Sequence, residues 1–130
     1  MLSDTILVID DQPAIRQLLA EILTEEGYQV VTAANGNEGI QQAKACNPQL
    51  VLLDMKMPGI NGIETLQKLN KDSQGIRVIM MTAYGELELM NRAREIGACD
   101  YITKPFDLFE LCQVIHKILL KSTPLQMKTG

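Results

Sequence analysis

Apolar residues gather in short unbroken runs that end on a polar side chain. Ile6-Leu7-Val8-Ile9 stops at Asp10-Asp11, Leu50-Val51-Leu52-Leu53 at Asp54, and Val78-Ile79-Met80-Met81 at Thr82. A continuous run of this length is the pattern of a strand in a parallel sheet with helices on both faces. Between the runs the period changes. Ile15, Leu18, Leu19, Ile22 and Leu23 recur at helical spacing on one stripe, and Gly27 closes that helix as a C-terminal glycine. The pattern predicts strands at about Thr5–Ile9, Gln29–Ala33, Leu50–Leu53, Arg77–Thr82 and Asp100–Thr103. Asn35-Gly36 turns the chain, and Asn37 is the expected N-cap of a second helix running to about Cys46. Pro58-Gly59 breaks the chain before a third helix at about Asn61–Asn70. A fourth helix, Glu86–Ile96, is closed by Gly97. Asp107 with Glu110 makes a capping-box-like start for the last, to about Lys121.

Strict alternation of strand and helix predicts an α/β fold: a three-layer, doubly wound (βα)5 sandwich with a parallel sheet and right-handed crossovers. Periodicity does not give strand order. The common flavodoxin-like order, 2-1-3-4-5, sets the first and third strands side by side at the switch point, where ligands bind beyond the carboxyl ends. That order would bring Asp10, Asp11 and Asp54 into one pocket. One domain, residues 1–121, is expected, with residues 122–130 as a frayed tail.

The 130 residues are 46% apolar, which excludes a disordered chain and suits a single core. No apolar run is long enough to span a bilayer, so no membrane partner is expected, and Met1-Leu2-Ser3-Asp4 has no signal-peptide character. A net charge of −4 argues against a nucleic-acid partner, which would call for a basic patch. Cys46, Cys99 and Cys112 form no CxxC. They read as free, buried or half-buried thiols in a reducing compartment, and a cytoplasmic location is expected.

Taken singly, the residues at the strand ends have plain structural explanations. Asp11 can cap a helix, Asp54 can cap a loop, Thr82 can be an ordinary strand end and Lys104 a solvated surface lysine. Taken together they supply complementary groups to one place. Clustered carboxylates repel unless a cation compensates them, and hard oxygen donors suit Mg²⁺. Phosphoryl transfer needs a nucleophile, a metal and donors for the phosphoryl oxygens. Asp54 would be the nucleophile, Asp10 and Asp11 the metal holders, and Thr82 and Lys104 the donors. GxSxG, GxxxxGK[ST], GxGxxG and HExxH are absent. His116, the single histidine, reads as the edge of the last helix's buried stripe.

Four segments in order resemble the receiver domain of two-component response regulators, over Thr5 to about Lys121. They are Val8-Ile9-Asp10-Asp11, Leu52-Leu53-Asp54-Met55-Lys56-Met57-Pro58-Gly59, Met81-Thr82-Ala83-Tyr84-Gly85 and Thr103-Lys104-Pro105-Phe106. The resemblance implies that Asp54 accepts a phosphoryl group from a phosphohistidine. It implies that Mg²⁺ is held by Asp10, Asp11, Asp54 and the backbone carbonyl of Lys56. By the same resemblance Thr82 and Tyr101 form a switch pair, Lys104 binds phosphate, and the Lys104–Pro105 bond is cis. Within the family the chain is most similar to stand-alone regulators of sporulation phosphorelays, departing at Pro13-Ala14 and at Tyr101.

The implied partners are a sensor histidine kinase, a histidine phosphotransferase and an aspartyl-phosphate phosphatase. Gln12, Pro13, Ile15, Leu18, Lys56, Tyr84, Leu87, Pro105 and Phe106 would form the docking surface. For Ile15 and Leu18, core packing is at least as good a reading as partner contact. A regulator that ends at Gly130 is expected to act through its surface, as a monomer, catalysing its own phosphotransfer without turning over as a conventional enzyme. One alternative is a chemotaxis-type module that docks a target when phosphorylated. A phosphohydrolase is a third reading, but Lys56 stands where that class needs a second acid. A flavodoxin-like protein would set its flavin phosphate against an acidic pocket.

Overall fold

The computed structural model describes residues 4–72, 75–83 and 87–121. Tyr84 and the expected tail, 122–130, lie outside the described residues. Strands β1 (Thr5–Ile9), β2 (Gln29–Ala33), β3 (Leu50–Asp54), β4 (Arg77–Ala83) and β5 (Asp100–Lys104) alternate with five helices. These are α1 (Pro13–Glu25), α2 (Gly36–Cys46), α3 (Gly62–Asp72), α4 (Leu87–Ile96) and α5 (Leu108–Lys121). All neighbouring strands pair in parallel, in the expected order β2-β1-β3-β4-β5.

The unbroken apolar runs have a direct cause. Successive side chains of a strand point to opposite faces, and both faces here are covered. Leu7, Ile9, Val51, Leu53, Val78 and Met80 pack with Ala43 of α2, Leu66 and Leu69 of α3 and Ala93 of α4. Ile6, Val8, Leu50, Leu52, Ile79 and Met81 pack with Leu19 and Leu23 of α1 and Leu111, Ile115 and Leu119 of α5. The two apolar layers lie on opposite sides of one sheet.

Capping differs from expectation at α2. Asn35, not Asn37, is the N-cap: it is extended at φ −157°, and its side chain accepts the Glu38 N–H at 2.8 Å. Asn37 already lies within the helix. Asn61 precedes α3 rather than opening it, and shares a reciprocal capping box with Glu64 (3.0 and 3.3 Å). Asp107 caps α5 as expected, accepting from Phe109 and Glu110 N–H. Gly27, at φ +99°, ends α1 in the left-handed region. Cys46 and Cys112 are half-buried, but Cys99 is exposed, because the turn from α4 leads into the edge strand β5.

Candidate functional site

Register sets the site. Ile9 pairs with Leu53 and Asp54 with Met81, so Asp10 and Asp54 leave adjacent strands together at their carboxyl ends. Thr82 pairs with Thr103 and Ala83 with Lys104, which brings the lysine to the same edge. Carboxylate oxygens of Asp10, Asp11 and Asp54 lie within 4.8 Å of one another. Asp10 is fully buried, Asp54 is 7% exposed and Asp11 is exposed.

Lys104 supplies the compensating charge. Its Nζ lies 2.7 Å from Asp10 Oδ2, 3.4 Å from Asp54 Oδ1 and 3.5 Å from Gln12 Oε1. The Lys104–Pro105 peptide is cis. Compensation is incomplete at Asp54: burial, then the charge of Asp10, push its carboxyl up to about 6, against the pull of Lys104. A buried pair of acids that one ammonium does not fully offset, with a third acid on the solvent side, is a donor set that fits a hard divalent cation. The same set presents a carboxylate oxygen as a nucleophile with a cationic donor beside it.

The loop from β1 to α1 is tightly held. Asp10 N–H donates to Ala33 O at 3.1 Å, and Asp10 Oδ1 accepts Gln12 N–H at 2.9 Å. Arg16 Nη1 donates to the Asp10 carbonyl at 2.7 Å. Gly62 shapes the other wall. A Cβ there would meet Asp54 O at 2.6 Å and Met55 Cα at 2.7 Å, so only glycine lets α3 close on the end of β3.

The remaining expected residues fall in three places. Thr82, buried at the end of β4, directs its hydroxyl to Ile102 O and Met90 Sδ, each at 3.4 Å, rather than to Asp54. Tyr101 is half-buried on β5, with the Arg94 guanidinium 4.7 Å from its ring centroid. Gln12, Ile15, Leu18, Pro105 and Phe106 line a hollow of about 450 Å³ around Lys104. Pro13 and the Lys56 side chain are exposed nearby in sequence, and Leu87 opens α4. Leu18 is 37% exposed while Leu19 is fully buried, which divides the α1 stripe between hollow and core. His116 is exposed and lines a separate hollow with Ile22, Phe109 and Cys112, away from the acids.

Sequence reasoning missed Arg16 and Gly62. The signal for Arg16 was its place in the first turn of a helix, where the dipole disfavours a cation. The signal for Gly62 was a glycine at a helix start, where a residue of higher helix propensity would serve better unless space forbids it.

A family model for the response regulator receiver domain matches residues 6–116. Sporulation initiation phosphotransferase F of Bacillus subtilis is 46% identical over 94% of this chain and 99% of its own length. The phosphate regulon transcriptional regulatory protein PhoB of Escherichia coli is 37% identical over 95% of this chain, which spans 55% of that regulator. Among solved structures, a CheY-like response regulator receiver domain protein of Methanospirillum hungatei superposes with a TM-score of 0.89 at 35% identity, covering 99% of this chain and all of the other.

Proposed function

The chain belongs to the response regulator receiver domain family, and from that premise we propose that it is a phosphorelay intermediate. It accepts a phosphoryl group from a sensor histidine kinase onto Asp54 and passes it to a histidine phosphotransferase. The observation that carries the reading is the convergence of the Asp10, Asp11 and Asp54 carboxylates, with Lys104 on Asp10 and Asp54, beside the hollow along α1.

In the transfer, an Asp54 carboxylate oxygen attacks the phosphorus of a phosphohistidine in line with the P–N bond. A P–O bond forms, the P–N bond breaks, and the electron pair returns to the imidazole nitrogen. Lys104 and Thr82 donate to the phosphoryl oxygens. For Thr82 this requires its hydroxyl to leave Ile102 and Met90 and turn toward Asp54. Tyr101 then takes up a new position with it, and that coupled movement is the signal partners read. Asp10, Asp11, Asp54 and the Lys56 carbonyl would hold Mg²⁺, which supplies charge neutralisation at the phosphoryl oxygens. Gln12, Pro13, Ile15, Leu18, Lys56, Tyr84, Leu87, Pro105 and Phe106 are the residues that would contact a helix bearing the partner histidine, and an aspartyl-phosphate phosphatase would use the same opening. The likeness to sporulation initiation phosphotransferase F supports a sporulation relay in the cytoplasm as the setting.

The test is labelling by a small phosphoramidate with Mg²⁺, followed by incubation with a purified histidine phosphotransferase. Labelling of the wild type, its loss in Asp54→Asn, and onward transfer to histidine are expected. Equal labelling of Asp54→Asn removes the acceptor assignment. Labelling without transfer favours a module that docks its target when phosphorylated.

A further inference from the structure

Arg16 completes the first turn of α1, where the helix dipole opposes a cation. What holds it there is a bond from Nη1 to the Asp10 carbonyl, at 2.7 Å. That carbonyl belongs to the peptide joining Asp10 to Asp11, the two acids of the β1–α1 loop. The rest of Asp10 is fixed from other directions, its N–H by Ala33 and its carboxylate by Gln12 and Lys104. Asp11 is different. It is exposed, and its side chain makes no hydrogen bond or ion pair with any described residue. The direction of its carboxylate therefore follows the plane of the Asp10–Asp11 peptide. No side-chain cap at Gln12 steadies that plane from the helix end.

We propose that Arg16 is a positioning residue of the cation site: it holds the Asp10–Asp11 peptide so that the Asp11 carboxylate converges with Asp10 and Asp54. The inference rests on the reading of these three acids as a Mg²⁺ site. Arg16 touches neither the ion nor the phosphoryl group and acts only through the main chain of the acids that do. Partners that orient metal ligands from behind are worth about 10- to 100-fold in metal affinity.

Calorimetric titration of Mg²⁺ into wild type, Arg16→Met, Arg16→Gln and Arg16→Lys tests this, with metal-free melting temperatures and the Asp11 amide resonance recorded alongside. Arg16→Met keeps the packed stem and loses every donor, and Arg16→Gln carries an amide too short for the carbonyl. Both are expected to weaken Mg²⁺ binding about 10-fold or more and to move the Asp11 amide. Arg16→Lys, with a single ammonium in place of the planar fork, is expected to recover part of the affinity. A merely structural arginine would lower the melting temperature and leave the affinity alone. If the wild type binds Mg²⁺ and Arg16→Met binds within about twofold of it, the inference is overturned and the metal reading stands. Arg16→Gln decides in the same way if Arg16→Met does not fold. If the wild type binds no Mg²⁺, both fall together.

Discussion

At Asp54 the cost of burial and the charge of Asp10 outweigh the attraction of Lys104, and the carboxyl titrates at about 6 instead of 3.8. A folded-state value above the unfolded one means that stability is fully present below pH 3.8 and is lost as the pH rises through about 6. The metal-free protein is therefore strained by its own ionised Asp54 at neutral pH. Asp54→Asn is expected to be more stable than wild type by about 1–3 kcal/mol at pH 7.5 in chelator, with the gap closing near pH 4. Urea melts at the two pH values measure it, and a less stable variant at pH 7.5 would contradict the electrostatic account. Lys104→Met should act in the opposite direction. It leaves buried Asp10 without its 2.7 Å partner and is expected to cost about 3–5 kcal/mol at pH 7.5, and less at pH 5, where Asp54, titrating at about 6, is protonated and no longer needs the lysine. Denaturation with and without Mg²⁺ tests whether a divalent cation restores the loss.

Elements owe their placement to a few contacts at their ends. Asn35→Ala is expected to cost about 1 kcal/mol, because it frees the Glu38 N–H, while Asn37→Ala should change little. Equal effects in thermal unfolding would undo the assignment of the cap. The error over Asn37 shows how far the chain could be read: Asn35 and Asn37 flank one glycine, and both are good caps in isolation. Only the backbone angles, with Asn35 extended, separate them. Limits of β1, β3 and β4 were legible to within a residue, because their runs are buried along nearly their whole length and stop at a polar or charged side chain. Gly62→Ala acts at a junction of elements. The added methyl would push α3 off the end of β3, costing about 1–3 kcal/mol, and the displacement falls on the backbone of Asp54 and Met55. Phosphoramidate labelling should slow in this variant beyond what its lost stability explains.

Across the whole molecule, strand order is what turned scattered acids into a site, and order is the feature that no single run contains. Asp10 and Asp54 are 44 residues apart in sequence and adjacent only because β1 and β3 pair. The Lys104–Asp10 contact was out of reach for a similar reason, since it closes only when β5 takes the edge. The α1 stripe could be recognised as helical, but its division between core and surface needed the position of α5. That division predicts that Leu18→Ala leaves stability within about 1 kcal/mol of wild type and slows transfer to a histidine phosphotransferase. Leu19→Ala, emptying a fully buried site, should cost about 2–5 kcal/mol. Denaturation and transfer rates on the same two variants separate a docking contact from a core contact.

The two apolar layers described above share no helix: α1 and α5 belong to one, α2, α3 and α4 to the other. The sheet is thus a partition wall, and side-chain packing keeps each room to itself. The acids, Lys104 and Thr82 sit along the one rim where both rooms open. On that rim the Thr82 hydroxyl reaches a residue of each room, Met90 of one and Ile102 of the other, so in the relay we propose the doorway and the mailbox of this molecule would be the same few atoms.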